Sequence, residues 1–101
     1  MDIIVNDKGL TFKDIEETVF DICCKLAVEI TQKILKEIDK TLMKERDKSK
    51  YRHKGLKEDH IRCVYGDVPY ERVIYQTENE EGHKEFIYLL NDTLKMDTVG
   101  K

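Results

Sequence analysis

The sequence predicts an α+β fold: one long N-terminal amphipathic helix followed by a three-stranded antiparallel β-meander. Three observations carry this prediction. Apolar residues recur three and four apart from Phe12 to Leu42, the spacing of one helix face. From His60 the spacing changes to two, the alternation of a half-buried strand. Two polar turns, Gly66-Asp67 and Glu78 to Gly82, then separate three such runs, and adjacent strands joined by short turns pair antiparallel.

The helix is expected from Thr11 to Asp47, after a lead-in of residues 1–10. Thr11 can accept a hydrogen bond from the first turn, with Asp14 three residues on and Glu16 and Glu17 close behind. The stripe reads Phe12, Ile15, Val19, Ile22, Leu26, Ile30, Ile34, Ile38 and Leu42, widened by Cys23, Ala27 and Leu35. Cys23 therefore reads as core, and Cys24, a third of a turn round, as partly exposed. Residues 48–59 break the helical pattern and are expected as a solvated basic connector. The meander should occupy 60–90, in runs His60 to Tyr65, Val68 to Thr77 and Lys84 to Leu90. Pro69 lacks an N–H, which places it near a strand start or on an unpaired edge. The tail, 91–101, carries no complete element of its own, although Leu94 and Met96 could begin one.

Length and charge bound the rest. The chain has 101 residues, 39% charged and 40% apolar, enough for one domain with a modest core. The net charge is −3, so the average does not advertise a nucleic-acid partner. Its distribution does. Lys44, Arg46, Lys48, Lys50, Arg52, Lys54 and Lys57 oppose only Glu45 and Asp47 over residues 44–57, a local +5 against −8 for the remainder. With His53 among them, these cations are the candidate DNA-binding residues. The alternative reading is a solvated connector whose cations complement the helix C-terminus.

No signal peptide or membrane span is legible in the opening residues, and three cysteines (Cys23, Cys24, Cys63) do not suggest a disulfide framework. The chain reads as cytoplasmic. His53, His60, His83 and Cys63 lack the short paired spacing of a zinc site, and His60 and Cys63 should lie on opposite strand faces. No nucleophile has a base at helical-neighbour spacing. The expectation is therefore no enzyme, no metal, no cofactor, no membrane and no small-molecule ligand.

A helix of 37 residues would span ~55 Å, whereas strands of six or seven residues cover ~20 Å. Much of the stripe must then face another copy of the chain, another domain or water. Ile30, Ile34, Ile38 and Leu42 are the candidate interface residues for helix-mediated oligomerisation, a structural role without DNA contact.

Two strings carry a family likeness. Leu42-Met43-Lys44-Glu45-Arg46-Asp47-Lys48-Ser49-Lys50-Tyr51-Arg52-His53-Lys54-Gly55 and Ile61-Arg62-Cys63-Val64-Tyr65-Gly66-Asp67-Val68-Pro69-Tyr70-Glu71-Arg72 resemble the ISLre-type insertion-sequence transposases, catalogued as uncharacterised protein family 0236. The opening Met1 to Val5 and the run Phe86 to Leu90 are similar as well, so the likeness spans about nine-tenths of the chain. The resemblance implies an N-terminal module preceding a larger domain, RNase H-like in kind, that holds divalent cations on acidic residues and cuts or joins DNA. No residue of that domain can be carried onto this sequence. The ending Met96 to Lys101 departs from the family pattern, so the chain is expected to be a truncated, non-catalytic N-terminal fragment. Its expected partners are DNA, a second copy of itself or the remainder of a transposase.

Overall fold

A computed structural model describes residues 9–96; the start of the lead-in and the ending 97–101 lie outside the described residues. Helix α1 runs Phe12–Glu45 and is followed by strands β1 (Arg52–Cys63), β2 (Gly66–Glu78) and β3 (Lys84–Ile87) and a short helix α2 (Leu89–Leu94). The α+β class and the strand order β1-β2-β3, all antiparallel, are as the sequence predicts. The N-cap forms as expected: Thr11 accepts from the Asp14 N–H, and the Asp14 carboxylate accepts from the Thr11 N–H.

Three boundaries differ. The basic segment after Lys48 is not a connector throughout, because β1 begins at Arg52. Arg52 to Glu58 is solvent-exposed on both faces apart from Gly55, so no alternation announces it. Such charged edge strands are how sheets avoid pairing with strangers. A bulge between His53 and Gly55 shifts the register there, and Gly55 at φ +143° supplies a conformation other residues rarely adopt. The first hairpin turns at Val64-Tyr65, with Cys63 facing Gly66, rather than at Gly66-Asp67. Gly66 instead provides the positive φ, +132°, that closes the turn. The Tyr65 hydroxyl is hydrogen-bonded to Thr31, which ties this turn to α1. Finally, β3 stops at Ile87 and Leu89–Leu94 form α2, ended by Lys95 in the left-handed conformation.

β2 is the hub. It pairs with β1 along most of its length but with β3 only from Tyr75 to Glu78. Where β3 falls short, α1 takes over. Gln32 donates to the Pro69 carbonyl at 2.7 Å, and Asp39 accepts from the Val73 N–H at 3.0 Å. Helix side chains thus satisfy the open edge of β2, buried at Val73 and exposed at Pro69. Pro69, the residue without an N–H, sits on that edge as predicted.

The core is small: Leu35, Val68, Tyr70 and Leu90 are buried together, with Val28, Ile38, Leu42, Ile61, Cys63, Tyr65 and Met96 packed around them. The sheet-facing line of α1 is therefore Val28, Leu35, Ile38 and Leu42, joined by Asp39. Most of the predicted stripe faces elsewhere. Phe12 (74%), Val19, Leu26, Ile30 (56%) and Ile34 (53%) are exposed, and Cys23 is exposed rather than core; Phe20, outside the stripe, is exposed as well. The reason is geometric. Steps of four residues advance 40° round a helix, so from Leu26 to Leu42 the stripe winds by about 160°. Only its last members, Ile38 and Leu42, arrive at the sheet. The molecule is accordingly long, 72 × 26 × 18 Å, with a radius of gyration of 20.0 Å against about 13 Å for a compact chain of this size.

Candidate functional site

The cationic segment lies where α1 ends and β1 begins, and its members do different things. Arg46 is half-buried. It donates to the Met43 carbonyl and, at 3.0 Å, to the Tyr51 carbonyl, and its guanidinium lies 5.5 Å from the centre of the Tyr75 ring. It clasps the helix end to the sheet. Tyr51 is also half-buried and meets Tyr75 edge-on, with the Lys50 ammonium 5.3 Å from its ring. Lys44, Lys48, Lys50, Arg52, His53, Lys54 and Lys57 are all exposed.

The acids in this segment are partly engaged internally. Asp47 accepts from the Ser49 N–H at 3.0 Å and from its hydroxyl at 2.6 Å, and these bonds hold its carboxyl below the ordinary carboxylate range. Asp59 is buried against Arg72 at 3.3 Å. The Arg72 guanidinium also donates to the Lys57 carbonyl at 3.2 Å and stacks 3.9 Å from the Tyr88 ring centre. Glu45, Asp47 and Glu58 remain exposed beside the cations, so this end carries six exposed lysines and arginines against three exposed acids over residues 44–58.

Behind the cations lies a polar junction. Tyr75 is fully buried, and Asp39 is 5% exposed. Burial pushes the Asp39 carboxyl above its usual range, against the opposing pull of the Val73 N–H and the charges of Arg72 and His53. Burial, then the neighbouring Asp39, raises the Tyr75 phenol in turn, while Arg46 lowers it. An open groove of about 1150 Å³ runs beside this junction, between α1 and the outer face of the sheet. Leu56, Val73 and Met43 line it, as do Glu58 and Glu71, which face each other across β1 and β2. Among the described residues, no serine, threonine or cysteine lines the groove. Among the described residues, no group of three or more His, Cys, Asp or Glu side chains is placed to hold a metal. His60 lines the groove while Cys63 packs on the core, the opposite faces expected of them.

Of the candidate interface residues, Ile30 and Ile34 are exposed, whereas Ile38 and Leu42 are packed against the core. Sequence spacing alone misses the buried Arg72 and Asp39 and the half-buried Gln32, because a charged or polar residue within a pattern gives no sign of its tertiary partner. Among the described residues, no helix is long and apolar enough to cross a membrane.

A family model described as "Uncharacterised protein family (UPF0236)" matches residues 5–101. The chain belongs to that family. The UPF0236 match covers α1, the basic segment and the whole meander, contains both signature strings, and also runs through residues 96–101, where a departure from the family pattern was expected. No match emerges among curated proteins or among solved structures.

Proposed function

We propose that this chain is a non-catalytic N-terminal module of a transposase-like protein and that its cationic end grips DNA backbone without reading sequence. The observation that carries this reading is the gathering of Lys44, Lys48, Lys50, Arg52, Lys54 and Lys57 at one end of the molecule, all exposed and outnumbering the exposed Glu45, Asp47 and Glu58 among them, while Asp59 pairs with Arg72. The likeness of residues 42–72 to ISLre-type transposases supports it. Phosphate contacts position a protein on a duplex but specify no bases. A short loop and an edge strand offer no recognition helix for the major groove.

Three simultaneous phosphate contacts would give a salt slope near −2.7, a roughly 40-fold loss of affinity between about 50 and 200 mM salt. Duplexes of unrelated sequence should bind alike. Charge reversal at Lys50, Arg52 and Lys54 is expected to abolish binding, while reversal at Lys25, Lys33 and Lys36 on α1 is expected to leave most of it. Arg46 is unsuitable for this test because its clasp is structural. Fluorescence anisotropy with a labelled duplex measures all of this. Affinity that ignores both salt and the first triple variant would sink the reading.

A further inference from the structure

The groove beside α1 holds two features that the fold does not use. The first is a pair of like charges. The Val73 N–H points to Asp39 on α1 and so away from β1, which makes Leu56↔Val73, Glu58↔Glu71 and His60↔Pro69 the non-hydrogen-bonded pairs of the ladder. Side chains stand closest in such pairs, with Cα atoms about 4.5 Å apart. Glu58 and Glu71 therefore meet in the groove, both exposed. Like charges directly opposite destabilise a sheet, and neither glutamate has an ion pair among the described residues. Lys36 and Lys40 stand on the α1 wall of the same groove, but Lys40 pairs with Glu37 at 3.9 Å, and Lys36 pairs with no acid among the described residues.

The second feature is a buried acceptor without a donor. Asp39 lines the groove and is 5% exposed. Its Oδ2 takes the Val73 N–H, while its Oδ1 has no hydrogen-bond partner among the described residues. Buried polar atoms are as a rule satisfied. Beside the acidic rung, the Leu56–Val73 rung is apolar, and Leu56 is 59% exposed. The two rungs lie two residues apart along each strand, about 7 Å. An arginine side chain suits that interval. Its apolar stem can cover one rung while its planar fork of donors reaches both carboxylates of the other.

We propose that this groove takes an arginine presented by a partner polypeptide. The guanidinium bridges Glu58 and Glu71, the stem lies on Leu56 and Val73, and a neighbouring main-chain N–H of the partner donates to Asp39 Oδ1. Lysine, a point charge without a fork, is a poorer fit. The groove, open and about 1150 Å³ in volume, has room for the extended segment that carries the arginine.

The free chain gives the first test. Glu71→Gln removes the repulsion across the rung, so its urea midpoint should exceed that of the parent chain. A lower midpoint would mean that Lys36 already neutralises the pair, and overturns the proposal. Binding is read by titrating the isotope-labelled chain with a short end-blocked peptide carrying one arginine. Amide shifts should concentrate at Leu56, Glu58, Glu71 and Val73, and Glu58→Gln or Glu71→Gln should each weaken binding roughly tenfold or more. The same peptide with neutral citrulline in place of arginine should not bind, and a lysine version should bind less tightly. Glu16→Gln with Glu17→Gln, toward the far end of α1, should leave the affinity unchanged. Absence of saturable binding, equal binding of the citrulline peptide, or an equal loss in the Glu16/Glu17 variant overturns the proposal. So does a free alkylguanidinium that binds as tightly as the peptide, which would make the groove a small-cation site. Both rung glutamates are exposed, so their glutamine variants should keep the fold, and neither test depends on duplex binding by the cationic segment.

Discussion

Replacing Arg72 by methionine should be the most damaging single change to the sheet. The arginine is 4% exposed and fills a slot between the rings of Tyr88 and Tyr70, at 3.9 and 5.8 Å from their centres. It pairs with Asp59 at 3.3 Å and donates to the Lys57 carbonyl at 3.2 Å. Methionine keeps the length and the apolar stem but not the charge. Asp59 would then stay under the sheet with the His60 N–H, at 2.8 Å, as its remaining donor. Removing one partner of a buried pair costs about 3–5 kcal/mol. With a urea dependence of ~1–3 kcal/mol per molar, the unfolding midpoint should fall by about 2 M. Replacing both partners, Arg72→Met with Asp59→Leu, should recover most of the loss, because two apolar side chains leave no charge stranded. Urea denaturation followed by circular dichroism gives the full double-mutant cycle. A single variant costing less than about 1 kcal/mol, or a double variant worse than the sum of the singles, would refute the reasoning about this pair.

The Asp39 carboxyl gives a pH test. Its folded-state pKa is raised by burial, so the folded chain holds that proton more tightly than the unfolded one. The resulting stability is fully present below the unfolded value and is lost as pH rises through the folded value. Asp39→Asn keeps an acceptor for the Val73 N–H and never ionises. Its stability relative to the parent chain should therefore improve as pH rises from about 4 to 7; a decline over that window would mean the sign is wrong. Asp39→Ala, which also never ionises, removes the acceptor and should be about 1–3 kcal/mol less stable than Asp39→Asn at any pH. Arg46→Ala should cost about 1.5–3 kcal/mol through its lost charged hydrogen bonds, whereas Lys50→Ala, on the exposed loop, should stay within about 0.5 kcal/mol. Denaturation curves for the two variants separate the structural cation from the free ones.

The elements that were legible in the sequence are those with a local signature. The Thr11–Asp14 box, the helical spacing from Phe12 onward and the alternation through β2 each declare themselves within a few residues. β1 does so only from His60, because its first half is an edge strand wet on both faces and so has no period to read. α2 does not, since Leu89 and Leu90 continue an apolar run that a strand could equally use, and only the tertiary contact of Leu90 with Leu35, Val68 and Tyr70 decides. The cationic end was visible as composition, but not the division of labour within it. That Arg46 is a clasp follows from where Tyr51 and Tyr75 end up, a long-range fact. The stripe misled in an instructive way. Steps of four residues look like one face, yet they wind, and the side that meets the sheet carries Val28, Leu35, Ile38 and Leu42, with Gln32 and Asp39 bonded to the open edge of β2.

Two neighbouring positions test that rotation most directly. Leu35 is 7% exposed and lies in the core; Ile34, one residue before it, faces away. Urea unfolding at high dilution, where association does not contribute, should show Leu35→Asp losing ~3 kcal/mol or more by burying a charge in place of a packed side chain. Ile34→Asp should change stability by no more than about 0.5 kcal/mol. Equal losses at the two sites, or the larger loss at Ile34, would mean that the helix packs on its regular apolar stripe after all.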